Sequence, residues 1–170
     1  MFSLYVSQSA QKDVARIDVV KTEYGLFDQM ASLQLQYPLM SHLFAVTIGQ
    51  YNSARDQVRG VALAKSDPER LSFLLQERAL AHFIFTIYEE TYYLWRQAAS
   101  GERVRAELAR DDLMFFNDFL SNNPRLLWYW DTTNGGKLGM AFAGDLQAYY
   151  KENVVKGSPA DRDPNGPFHP

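Results

Sequence analysis

The sequence predicts an all-α single domain: a bundle of five or six helices around one long, largely apolar helix. Three observations predict it. Apolar residues recur at three- and four-residue spacing along most of the chain, and no run alternates with period two as a strand would. Helix start and stop signals recur, notably Ser66-Asp67-Pro68-Glu69 and Asn122-Asn123-Pro124. The stretch around His82–Gln97 is apolar around most of a helical circumference, as befits a helix packed among others.

The first helix is expected over 10–36. Ile17, Val20, Tyr24, Phe27 and Ala31 follow one face, and the helix stops before Pro38 because the residue ahead of a proline disfavours the α conformation. A short helix is expected over about 39–48, and 49–65 reads equally as helix or loop. Ser66 and Glu69 stand three apart, as in a capping box, with Pro68 at an early helical position, so a long helix opens there and runs to about Ala99. On a helical wheel Leu80, Phe83, Ile84, Ile87, Tyr88, Thr91, Leu94 and Trp95 form one broad face. Ala81, Phe85 and Tyr92 extend it on one side, and Ala79 on the other. Arg78, His82, Thr86, Glu89 and Tyr93 make a narrow polar strip, with Glu90 at its margin.

The next helix spans about 102–121, with Val104, Leu108, Phe115 and Phe119 inward and Phe116 and Leu120 widening that face. Pro124 restarts a short helix through about Asp131, capped by Asn122 or Asn123. Asn134-Gly135-Gly136 is a turn, and a last helix covers about 138–154, weakened by Gly139 and Gly144. Residues 156–170, with four prolines and little apolar content, are expected to be a disordered tail. Residues 1–9 read as a frayed start or the remnant of a membrane anchor, which leaves 10–155 as the bundle.

Composition narrows the function classes. A chain of 170 residues fits one domain. A net charge of −3 with no Lys/Arg run argues against a nucleic-acid partner, which needs a basic face. The absence of cysteine excludes disulfides, zinc–thiolate sites and thiol catalysis.

Glu89 and Glu90 look like a catalytic or metal-binding pair, but neighbours on a helix point about 100° apart and do not converge. No Glu-x-x-His occurs, so the pattern of a bundle di-metal site is missing and no metal or cofactor is expected. Ser41-His42 lacks the Gly-x-Ser-x-Gly elbow, and Asn134-Gly135-Gly136-Lys137 lacks phosphate-loop spacing. The expected reading is a non-enzymatic interaction or regulatory domain that self-associates through the Ile17–Ala31 seam or binds another protein. The alternative is a small-ligand domain or unrecognised enzyme, with a pocket lined by Tyr88, Tyr92, Trp95 and Trp130 and with Glu90 or Arg125 as polar anchors.

Leu35-Gln36-Tyr37-Pro38-Leu39-Met40, the helix from Glu77 ending Tyr92-Tyr93-Leu94-Trp95, and Phe119–Trp130 closing with Asn-Pro-Arg and Tyr-Trp share an order. In it, residues 30–131 resemble an uncharacterised group of bacterial helical domains that follow N-terminal transmembrane helices and face the cytoplasm. The resemblance implies a cytoplasmic domain at the inner face of a membrane, touching it only through an N-terminal anchor. It carries no catalytic motif.

Overall fold

The computed structural model describes residues 28–98, 103–130 and 144–168. The fold is all-α and forms a single domain, with no strand among the described residues. The seam positions Ile17, Val20, Tyr24 and Phe27, the expected start at 1–9 and the turn at 134–136 lie outside the described residues.

Helix α1, described over 28–36, ends where the proline rule requires, at Tyr37-Pro38. Its inward residues are Met30 and Leu33, which pack on the core, while Ala31, the last residue of the expected seam, is exposed. The short helix expected over about 39–48 is a 3-10 helix, Pro38–Phe44, which buries Met40, His42, Leu43 and Phe44. The ambiguous stretch resolves into α2, Ile48–Leu63, because the Thr47 side chain accepts from the Gln50 amide and caps it.

Helix α3 covers Asp67–Ala98. Glu69 reaches back to accept from the Ser66 amide at 2.9 Å and from the Ser66 hydroxyl at 2.6 Å, the returning arm of the expected capping box. Its second half buries Leu80, Ala81, Ile84, Phe85, Ile87, Tyr88 and Tyr92. Its first half is covered on one side alone: Phe73 and Glu77 turn inward, whereas Leu71, Leu74, Leu75 and Ala79 are exposed. The long helix is therefore packed along one face rather than wrapped all round.

Helix α4, Arg103–Ser121, makes the most extensive helix–helix contact among the described residues, against α3. It presents Leu113, Phe116, Phe119 and Leu120 inward. Phe115, expected on that face, is partly exposed and stacks parallel on Phe119 at 6.3 Å. Helix α5, Pro124–Tyr129, starts at Pro124 as expected, with Asn123 as its cap. Helix α6, Gly144–Tyr150, runs into a π turn, Lys151–Val155.

The clearest departure is the C-terminus. The expected disordered tail folds back over the domain through Phe168, and Ala160, Asp163, Gly166 and Pro167 are buried. Ser158 donates to Ser121 O, the Asp163 amide donates to Pro124 O, and Phe168 meets the Phe73 ring edge-on at 5.0 Å. Prolines and glycines that signal disorder in a free chain here fix a strap held by specific hydrogen bonds.

Asn123 joins two of these segments. Its Oδ1 accepts from the Leu126 amide, while its Nδ2 donates to His42 O at 2.9 Å. Replacing it removes a helix cap, costing about 1 kcal/mol, and strands a buried carbonyl at a further roughly 1–3 kcal/mol. Asn123→Ala is expected to lower the unfolding free energy by at least about 2 kcal/mol in chemical denaturation, and Asn123→Asp to recover the cap but not the bond to His42.

Candidate functional site

A carboxylate at a core position organises the polar centre of the molecule. Glu77 lies one turn after Phe73 and two turns before Ile84, both of which face the interior, so α3 carries it inward, where it is fully buried. Isolated, such a charge would be prohibitive. The 3-10 helix and α5 supply its partners. His42 Nε2 lies 2.7 Å from Glu77 Oε1 and donates to it. Arg125 grips both oxygens, from Nε to Oε1 at 3.1 Å and from Nη2 to Oε2 at 2.6 Å. The Tyr129 hydroxyl donates to Oε2 at 2.7 Å. Each oxygen thus accepts two hydrogen bonds, the full capacity of a carboxylate.

Arg125, itself 1 % exposed, has its other face bound by the strap. Nη1 donates to Asp163 O and Pro164 O. The rings of Trp128 and Tyr129 lie 4.4 and 4.9 Å from its guanidinium carbon. Asp163 extends the network outward, accepting from the Tyr51 hydroxyl at 2.6 Å and pairing with Arg55 at 3.4 Å. Its other oxygen accepts from the amides of Asn165 and Gly166, which turns the chain back over the ion pair. Gly166 sits at φ +54° directly above it, where an added Cβ would stand 3.0 Å from Arg125 Nε.

The electrostatics follow from this geometry. Burial pushes the Glu77 carboxyl up. The hydrogen bonds from His42 and Arg125, with the Arg125 charge, outweigh burial and hold it down at about 2. Burial works against the Arg125 charge as well, but Glu77 raises its pKa further. Tyr51 and Tyr129 are pushed above their ordinary range, chiefly by burial and then by the neighbouring carboxylates. The arrangement holds a proton off Glu77 and on both tyrosines. That is a locked ionic centre, unlike an acid–base pair poised near neutrality.

The expected site residues are divided among different environments. Arg125 is buried in an ion pair rather than lining a pocket, and its carboxylate is Glu77 and not Glu90. Glu90 is exposed and forms no ion pair with a described residue, while Glu89 is half-buried. The reason is angular: Glu90 lies beyond the margin of the α3 face that packs, and Glu77 lies at its centre. Tyr88, Tyr92, Trp95 and Trp130 do lie together, but α6 fills the space between them. Tyr150 packs on Trp130 at 4.6 Å and on Tyr88 at 5.6 Å; Tyr149 packs on Tyr92 at 5.1 Å and on Trp95 at 5.6 Å. Asn117 joins the same cluster, accepting from the Tyr88 hydroxyl and donating to the Tyr149 hydroxyl. Among the described residues no group of His, Asp and Glu is arranged to hold a metal ion, and no helix is long and apolar enough to cross a membrane.

Open space lies elsewhere. A groove of about 560 Å³ runs between α1 and α3, walled by Asp28, Gln29, Ser32 and Leu33 on one side and Gln76, Ala79, Leu80 and Phe83 on the other, with Tyr37 at one end. A second depression of about 300 Å³ shares Tyr37 and Gln76 and continues past Phe73 to Glu69 and Lys65. End to end they follow α3 from Glu69 to Phe83, roughly 21 Å at 1.5 Å per residue.

Glu77→Gln leaves Arg125 buried without its counter-charge and is expected to destabilise by about 3–5 kcal/mol in urea denaturation. The pH dependence has a definite sign. Glu77 is depressed from its ordinary 4.5 to about 2, so its contribution is complete above about pH 4.5 and is lost as pH falls through 2. The stability gap between wild type and Glu77→Gln should therefore narrow on acidification across that window. Gly166→Ala must relieve both a positive φ and the close approach to Arg125. It is expected to cost about 1–3 kcal/mol and to speed proteolysis within 157–168 before the bundle unfolds.

Neither family models, curated proteins nor solved structures match this chain, so the geometry above is the ground for a functional reading.

Proposed function

We propose that this domain is a non-enzymatic interaction module whose groove along α3 receives an amphipathic helix of a partner protein. The observation that carries this reading is the groove itself. Its α3 wall offers Gln76, Ala79, Leu80 and Phe83, the i, i+3, i+4, i+7 register by which one helix receives another. Its length along α3 suits a partner helix of about four turns. Leu33, Tyr37, Leu80 and Phe83 supply apolar surface, and Asp28, Gln29, Lys65 and Glu69 give a polar rim that fixes register. The locked centre under Arg125 fits the same reading, because through His42 it ties α3 to the 3-10 helix that begins at Pro38, beside the groove. The likeness of residues 30–131 to an uncharacterised group of bacterial helical domains that follow N-terminal transmembrane helices would put such a module at the inner face of a membrane, and carries no activity of its own.

A second reading has one observation in its favour. The volume of about 560 Å³ falls in the range of roughly 300–1,000 Å³ typical of small-molecule sites. An elongated apolar ligand would occupy the same groove.

A photo-crosslinking residue at Ala79, exposed on the groove wall, is expected to capture a discrete polypeptide in the host cell, whereas the same residue at Glu90 is not. Ala79→Arg should abolish capture by a crosslinker at Gln29 without changing the melting temperature. Absence of any Ala79-dependent adduct overturns the reading. A bound small molecule seen by native mass spectrometry, lost in Ala79→Arg, favours the second.

A further inference from the structure

The outer edge of α3, on a different flank from the groove, carries an apolar stripe with charged ends. Leu71, Leu74 and Leu75 are 60 %, 37 % and 59 % exposed, a concentration of leucine that a solvated helix face does not require. Asp67 lies one turn before Leu71, and Arg78 one turn after Leu74. The Asp67 side chain is 99 % exposed, and Arg78 is exposed as well. Positions 67, 71, 74 and 78 are spaced four, three and four. That is the alternation of a heptad seam, with Leu71 and Arg78 at a and Asp67 and Leu74 at d. The core side of the same helix uses Phe73, Glu77, Leu80 and Ile84, so the two seams share no residue.

We propose that this stripe is a homodimer contact in which α3 packs antiparallel on α3 of a second copy. The charge pattern selects that occupant and that direction. Antiparallel seams place each a residue against a d residue of the partner. A two-fold axis beside Leu71–Leu74 therefore sets Leu71 against the second copy's Leu74 and Asp67 against the second copy's Arg78, and repeats both pairs. One surface supplies both the acid and the base that answer each other. A parallel arrangement would set Asp67 on Asp67 and Arg78 on Arg78, and is disfavoured. Leu75 flanks the seam and widens the apolar area. The contact involves about three turns of helix from each copy, which places it among small, reversible interfaces rather than obligate ones.

Sedimentation velocity of the full chain over a wide concentration range tests this. The expected result is a sedimentation coefficient that rises from monomer to dimer. Leu71→Asp, at an exposed site, should remove the rise while leaving the circular dichroism spectrum and melting temperature unchanged. Charge exchange supplies the specific test. Asp67→Arg and Arg78→Asp should each be monomeric, since each places like charges opposite at both ends. Mixed in equal amounts they should dimerise again. In the mixed pair the two substituted positions face each other with opposite charge, and the two unchanged residues, Asp67 and Arg78, meet as they do in the wild type. A wild type that stays monomeric throughout overturns the proposal. So does association that survives Leu71→Asp, or a mixture no more dimeric than its components. None of these outcomes bears on the groove, which faces another side of α3.

Discussion

Burying one carboxylate on α3 commits much of the rest of the fold. A charge taken from water into an apolar interior is tolerable when each of its oxygens is answered. Glu77 needs donors from outside its own helix, and they come from the 3-10 helix through His42 and from α5 through Arg125 and Tyr129. Arg125 brings its own unmet donors, which the strap answers with two carbonyl oxygens. Asp163 on the strap then recruits Tyr51 and Arg55 of α2. Each partner satisfies one obligation and creates the next, until the chain of demands ends at a partly exposed arginine on the surface. An ion pair of this kind adds little net stability over an apolar core of equal volume. It does discriminate, because a misdocked α5 or strap strands a charge where a leucine core would tolerate a slip.

Helix α3 serves three neighbourhoods from one stretch of sequence. Phe73, Glu77, Leu80 and Ile84 face the interior; Gln76, Ala79 and Phe83 border the groove; Leu71, Leu74, Leu75 and Arg78 face outward. That division explains why its first half is apolar yet open. Its second half, where α4 and α6 crowd in, spends its aromatic residues on packing. The open groove and the exposed leucines therefore lie toward the N-terminal half of the helix and the aromatic cluster toward the C-terminal half.

How much of this could be read from the sequence depends on the range of each interaction. Local signals served well: Ser66 with Glu69, Asn123 ahead of Pro124, and Pro38 after Tyr37 act within a turn or two and fixed the starts of α3 and α5 and the end of α1. The start of α2 rested on a lone Thr47, too common a residue to stand out. The aromatic residues of α3 could be assigned to a face but not to a pocket, because the Tyr149 and Tyr150 rings that fill the space belong to a helix some sixty residues on. Glu77 was within reach. Extending the wheel of α3 back past Arg78 places it between Phe73 and Leu80, and a lone carboxylate among core positions calls for a basic partner. The strap could not be read at all, since Gly-Ser-Pro composition looks the same in a free tail and in one clamped by an arginine.

The Tyr51–Asp163 hydrogen bond spans 112 positions of the chain, and the Glu77–Arg125 pair spans 48. Closing a loop costs entropy that grows with its length, so the longer closure has least to gain by forming early. The strap should settle last, over a bundle already assembled, and the ionic centre should stay wet until it does. Loosening the strap would then shorten the lifetime of the folded state far more than it would slow folding, a contrast that stopped-flow unfolding and refolding limbs read directly.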